Sequence, residues 1–103
     1  GNLELVEGLG LLDSVIIDQH FVARSRYNRL LCASIENNGF QCIGIDEGTA
    51  ILVSQGKAKV VGVSQVIEVG APIKVDMSRD TLLTARQIHL NIYAPGEEFP
   101  IKQ

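Results

Sequence analysis

No Gly-x-Ser-x-Gly turn occurs in the chain, and Ser25, Ser34 and Ser64 have no other nucleophile context. A complete serine triad within these residues is therefore not expected, because the elbow is what exposes an activated serine hydroxyl. Long apolar runs are also missing. None approaches the roughly 18 residues of a membrane-crossing helix, and the opening GNLELVEGLG lacks the basic region of a secretory leader. A start produced by processing fits equally well. Positive charge is scarce: 9 Lys and Arg stand against 12 Asp and Glu, for a net charge of −3. Nucleic acid is thus an unsuitable partner, since phosphate binding needs a positive face. The two cysteines, Cys32 and Cys42, form no CxxC pair and read as buried free thiols, not as a metal or redox site. There is no internal repeat, low-complexity tract or charge block, hence no linker.

What is present is globular in kind. At 46% hydrophobic and 20% charged, 103 residues amount to one domain or a piece of one. Val15 to Asp18 is a continuous apolar run closed by a polar residue, the pattern of a strand buried on both faces. From Ser25 the period changes. Tyr27, Leu30, Leu31, Ser34 and Ile35 fall on one helical face, with Ser25 as the predicted N-cap and Asn38-Gly39 as the stop. Cys42 to Ile45 is a second buried strand, so strand, helix and strand form a βαβ unit with a parallel pair. Further on, Gln55-Gly56-Lys57 marks a hairpin between 50–54 and 58–63. Residues 64–69 are predicted as a third strand of that meander, 73–76 as a short strand, and 87–93 as a strand with Ile88, Leu90 and Ile92 inward. The fold class expected is α/β: a βαβ unit of a parallel three-layer sheet followed by antiparallel hairpin strands.

A parallel sheet needs cover on both faces, and one helix is predicted. The strands at 15–20 and 41–46 are therefore expected to leave an apolar face for a second copy of the chain or for the rest of a larger α/β domain.

The chemistry concentrates where the first strand ends. Asp18, Gln19 and His20 close the strand, and Arg24, Arg26 and Arg29 follow within six positions. Ligands of open α/β sheets sit at this carboxyl end of the strands. A cation in a first helical turn is disfavoured by the helix dipole, by roughly 0.3–1 kcal/mol, yet it strengthens the positive field offered to a carboxylate or phosphate. The second strand ends in Asp46 and Glu47, and parallel neighbours end on the same edge. One imidazole, several cations and several acids together suit a substrate carrying both a carboxylate and a guanidinium or ammonium group. A solvated helix face and an ordinary turn are the plain alternatives. His89, in an alternating segment, is expected on the solvent face without a catalytic role.

GLGLL at 8–12, VIIDQHF at 15–21, RSRYNRLL at 24–31, IGIDEGTAILV at 43–53 and HLNIYAPGEEF at 89–99 resemble the carboxyl-terminal part of cyanophycinase and cyanophycinase-like serine peptidases. That group is similar to dipeptidase E and the glutamine-amidotransferase-like fold. The resemblance covers nearly the whole chain. It implies a serine hydrolase of β-aspartyl isopeptide bonds, such as the β-Asp-Arg units of cyanophycin, without metal or cofactor. His20 is then the general base, and Asp18, Gln19, Arg24, Arg26, Arg29 and Glu47 shape the substrate pocket. Arginines would meet substrate carboxylates and acids the substrate's arginine. The nucleophile of such enzymes lies in a Gly-x-Ser-Ala-Gly elbow upstream of the matched stretch. Residues 1–103 are thus expected to be one segment, the carboxyl-terminal part of a peptidase domain, and Glu47 is read as a substrate contact. Partners expected are the amino-terminal part of the same protein or a second copy, with no membrane. The expected compartment is the cytoplasm, with a periplasmic or secreted location as the alternative. Two other readings are an inactive binding module with the same pocket, and a dipeptidase for other aspartyl or isoaspartyl dipeptides.

Overall fold

The computed structural model describes residues 2–5, 15–21, 23–37, 39–70, 74–77 and 83–101; for 2–5, 20, 21, 23–26, 28, 32, 74, 75, 77 and 83 it describes the backbone alone. Asn38 of the expected helix stop lies outside these residues. The described elements are β1 (Asn2–Leu5), β2 (Val15–Phe21), α1 (Ala23–Glu36), β3 (Gln41–Asp46), β4 (Thr49–Ser54), β5 (Lys57–Gly62), β6 (Val66–Val69), β7 (Lys74–Met77), β8 (Leu83–Arg86), β9 (Leu90–Tyr93) and β10 (Glu98–Pro100).

The βαβ unit forms as its apolar periods dictate. β2 and β3 pair in parallel, with Val15 opposite Gln41 and Ile17 opposite Ile43. They sit inside a five-stranded sheet in the order β1-β2-β3-β6-β9, in which the other pairings are antiparallel. α1 covers one face through Leu30 and Ala33, which pack with Ile16, Cys42, Ile67 and Val69. The helix begins at Ala23, so Ser25 lies within its first turn and not at the N-cap. At the other end Gly39 takes φ +101°, the left-handed conformation that a helix stop favours.

A second sheet, β10-β5-β4, covers the opposite face. Ala58, Val60, Phe99 and Ile101 meet Val15, Ile17, Ile43, Ile45 and Val66 in a core cluster. The apolar faces of β2 and β3 are therefore covered within the chain, contrary to the sequence expectation, and the third layer is a sheet instead of a helix. β6 departs from expectation for the same reason. All four of its residues are buried, which a place at the edge of the hairpin sheet would not allow. It pairs instead with β3 and β9 in the centre of the larger sheet.

The β4–β5 hairpin has Ser54 opposite Lys57 and positive φ at both loop residues, Gln55 and Gly56, the pattern of a type I′ turn. Ile88, before β9, packs against the helix-side core as expected, but within β9 the inward side is reversed from expectation. Tyr93 stacks on Phe99 with ring centroids 4.5 Å apart, while Leu90 and Ile92 stay 38% and 49% exposed on the helix-side face.

Candidate functional site

The site is built on the carboxyl edge of the one parallel pair, and its first feature is a break in register. Asp18 pairs with Gly44 and Phe21 with Asp46, so Gln19 and His20 together stand against the single residue Ile45. One extra residue in a strand is a β-bulge, which interrupts the alternation of side chains and re-aims them. Nothing in VIIDQHF announces it. The backbone thus carries His20 to the end of β2, one residue before Phe21, while Glu47 follows Asp46 at the end of the neighbouring strand. Gln19 is exposed there.

Asp18, before the bulge, is fully buried on the face that α1 covers. Neither of its carboxylate oxygens has a hydrogen-bond partner. Among the described residues, the charge facing it is Arg29 of α1, whose Nε lies 3.8 Å from Oδ2 and whose side chain is 29% exposed. Arg24 and Arg26 lie in the first turn of the same helix, where the structure describes their backbone. The backbones of Arg24 and Arg26 thus stand at the end of α1 that leaves the β2 edge, with Arg29 in the following turn. The helix has no acid in that turn to neutralise them.

The second exit is ordered by small contacts. Ser64 Oγ donates to Asp46 Oδ2, the Glu47 N–H donates to Asp46 Oδ1 at 2.8 Å, and the Thr49 hydroxyl donates to the Glu47 carbonyl at 3.2 Å. Ser64 N–H in turn donates to Thr49 Oγ1 at 3.0 Å. Gly62 lies directly beneath, at φ +113°; a Cβ there would stand 2.2 Å from the Gly48 carbonyl oxygen, so only glycine fits. Asp46 is therefore committed to the turn. Glu47 is exposed, and among the described residues no hydrogen bond of its carboxylate is found. Ser64, singled out in the sequence as a hydroxyl without an elbow, is a turn ligand of Asp46. Ser34 is buried and hydrogen-bonds the Cys42 thiol, which burial pushes above its usual pKa. His89 is exposed, away from these strand ends in the β8–β9 connection.

One polar cluster has no forerunner in the sequence reading. Glu68 of β6, 7% exposed, faces the second sheet. It accepts hydrogen bonds from Gln41 Nε2, from Asn91 Nδ2 at 3.0 Å and from the Tyr93 hydroxyl at 3.2 Å. Gln41 also donates to the Pro100 carbonyl at 2.8 Å, which ties β3 to β10. Burial, and then the Glu68 carboxylate, push the Tyr93 hydroxyl up to about 12. A lone acid inside the apolar strand VIEV was the available signal.

No family model matches the chain. Curated proteins do. Cyanophycinases of Trichormus variabilis and of a Nostoc species are each 32% identical to it over 107 residues, which is 98% of this chain and 36% of those proteins. The chain is homologous to the cyanophycinases. A cyanophycinase of Synechococcus elongatus is 39% identical over 61 residues, 58% of the chain and 19% of that protein. The chain thus spans about a third of the length of the cyanophycinases that match nearly all of it. Among the described residues, no helix is long and apolar enough to cross a membrane.

Proposed function

We propose that the chain carries the general base and much of the substrate pocket of a serine-type peptidase that hydrolyses β-aspartyl isopeptide bonds, the β-Asp-Arg units of cyanophycin. The observation that carries this reading is the single edge at which the bulge with His20, the arginine-bearing start of α1 and the uncommitted acid Glu47 meet. The cyanophycinase homology supports it. The nucleophilic serine comes from outside these 103 residues, from the amino-terminal part of the same protein or from a second copy. His20 takes the proton of that hydroxyl as it attacks the β-carbonyl, then returns it to the departing α-amino group of arginine. Gln19, Arg24, Arg26 and Arg29 receive the α-carboxylates of the substrate, with Asp18 behind them. Arginine suits this because its planar fork binds a carboxylate through two parallel hydrogen bonds.

Glu47 is the acid of this edge that is free to act, since Asp46 is held by Ser64 and Asp18 lies beneath the helix. It can meet the substrate's guanidinium or orient the imidazole of His20. Replacing arginine of the substrate by citrulline separates the two roles. Glu47→Gln costs the arginine substrate selectively in the first case and both substrates alike in the second. The competing reading is a binding module without turnover, favoured by the lack of an elbow serine in the chain. The test is β-Asp-Arg hydrolysis by the 103-residue chain alone and by the chain joined to a preceding segment that supplies a Gly-x-Ser-x-Gly turn. Activity is expected only in the second. Activity in neither favours the binding module, and activity on other aspartyl dipeptides alone revises the substrate.

A further inference from the structure

We propose that the outer face of the sheet β10-β5-β4 is a second substrate site, which holds a distant stretch of a chain of β-Asp-Arg units while one unit occupies the β2–β3 edge; the proposal deepens the peptidase reading above and rests on it. Two hollows meet on this face. One, of about 370 Å³, is lined by Leu52, Ser54, Gln55, Lys57, Lys59 and Glu98. The other, of about 360 Å³, shares Lys57 and Glu98 with it and continues past Phe99 and Pro100. The shared residues make the two one groove across the end of the sheet.

The strand register sets its charged groups in two rows. Lys59 of β5 stands between Leu52 of β4 and Glu98 of β10, and Lys57 stands between Ser54 and Pro100. Alternation along the strands puts these on the face away from the core, because Ala58, Val60 and Phe99 turn inward. Opposite charges placed directly across a strand pair attract one another. Lys59 and Glu98 nevertheless stay apart: among the described residues, neither they nor Lys57 forms an ion pair. Leu52, beside Lys59, keeps 59% of its surface in solvent. Gln55 closes one end of the groove at φ 51°, where a type I′ turn ordinarily has Asn, Asp or Gly. An L side chain in that left-handed conformation is unfavourable, and such residues collect at ligand sites.

The unpaired groups define the ligand. Two ammonium groups call for carboxylates, Glu98 calls for a cation, and Leu52 offers an apolar surface to an aliphatic stem. In a β-Asp-Arg unit the β-carboxyl of aspartate is joined to the amine of arginine. Units linked through the α-groups of aspartate then each keep one free carboxylate and one guanidinium on an aliphatic stem, which is the set the groove complements. The groove is also separate from the β2–β3 edge. Glu47 precedes β4 at that edge, and Leu52 and Ser54 follow five and seven residues later. At about 3.3 Å per strand residue, this places the groove roughly 15–25 Å from Glu47. An extended chain advances about 3.3–3.6 Å per residue, so a substrate of about five to seven units is needed to touch both places.

Two measurements with oligomers of two and of ten β-Asp-Arg units test the proposal. In the active protein, the double variant Lys57→Ala/Lys59→Ala is expected to raise KM for the ten-unit oligomer about three- to tenfold, the loss of two exposed ion pairs. KM for the two-unit oligomer, and kcat for both, should stay within a factor of about two of wild type. Equal effects on both lengths would assign the lysines to the edge or to the fold, and no effect on either would leave the groove without a ligand; each overturns the proposal. The second measurement needs no turnover. In the ¹⁵N-labelled 103-residue chain, the ten-unit oligomer should shift the amide signals of Leu52, Lys57, Lys59 and Glu98, and the double variant should lose these shifts. Shifts that persist in the variant, or that polyaspartate of the same length produces as strongly, would mean that the groove does not read the unit, and they overturn the proposal as well. Binding at the groove without hydrolysis by the active protein removes the peptidase reading and leaves the groove its ligand. Hydrolysis without any dependence on length or on the lysines keeps the peptidase reading and removes the groove.

Discussion

Two carboxylates are buried among the described residues, and the chain keeps them in opposite ways. Glu68 stands between the two sheets and accepts from Gln41, Asn91 and Tyr93, all neutral donors. Asp18 stands beneath α1 at the site edge, accepts nothing, and has the cation of Arg29 3.8 Å away. A buried charge supplied with several donors stabilises its surroundings and gives the core one preferred arrangement. A buried charge without them subtracts from stability. The first ties the scaffold together, and we propose that the second serves the site. The contrast explains why the acid that looks more out of place in the sequence, in VIEV, is the structural one.

The largest expected effect on stability is on the scaffold side. Glu68→Ala removes the acceptor shared by Gln41, Asn91 and Tyr93 and should lower unfolding stability in urea by about 2–4 kcal/mol, while KM and kcat of the active protein stay near wild type. A loss of activity without a loss of stability would place Glu68 in the site and dissolve the comparison. Next come the helix arginines. Arg26→Ala and Arg29→Ala should each cost about 1.5–3 kcal/mol of substrate binding, a rise in KM of about tenfold or more, visible in steady-state kinetics. Arg26→Lys should recover only part of it, since an ammonium cannot form the fork.

A smaller effect sharpens the comparison from the other side. Asp18→Asn removes an unsatisfied charge, so its unfolding stability should stay within about 1 kcal/mol of wild type or rise. Should it fall as far as that of Glu68→Ala, the two carboxylates are alike. The smallest effect concerns pH. Tyr93 titrates at about 12 in the folded chain against 10.0 for the free group, because of burial and then the Glu68 charge. The protonated hydroxyl therefore favours the fold fully below pH 10, and this contribution disappears as pH rises through about 12. Tyr93→Phe should flatten the alkaline limb of the stability–pH curve over that window, as followed by thermal melts; an unchanged limb would assign it to other groups.

How far the sequence carried these points differs between elements. β2, α1 and β3 are legible because their apolar periods are strong and local: Tyr27, Leu30, Leu31 and Ser34 lie toward the sheet as their spacing requires. The partner of β6 was not legible, since a run buried on both faces fits any central place in a sheet and long-range pairing leaves no local mark. The inward side of β9 was misjudged for a related reason. Ile88, before the strand, does pack on the helix-side core, but Leu90 and Ile92 stay 38% and 49% exposed, and the aromatic stack of Tyr93 on Phe99 decides the face of β9. At the site, the strand-end cluster of Asp18, Gln19 and His20 and the arginines were visible as residue types. The bulge at Gln19–His20, the burial of Asp18 and the engagement of Asp46 by Ser64 were not, because each arises from register and from neighbours distant in sequence.

We propose that the edge of β2 and β3 does chemistry, with His20 as its base. The most direct measurement is the steady-state kinetics of His20→Ala in the active protein on β-Asp-Arg. Loss of a general base removes a factor of about 10²–10⁴ from kcat, and more within a triad, while substrate binding holds. A variant that turns over at the wild-type rate, or that loses binding and leaves kcat untouched, would contradict the claim.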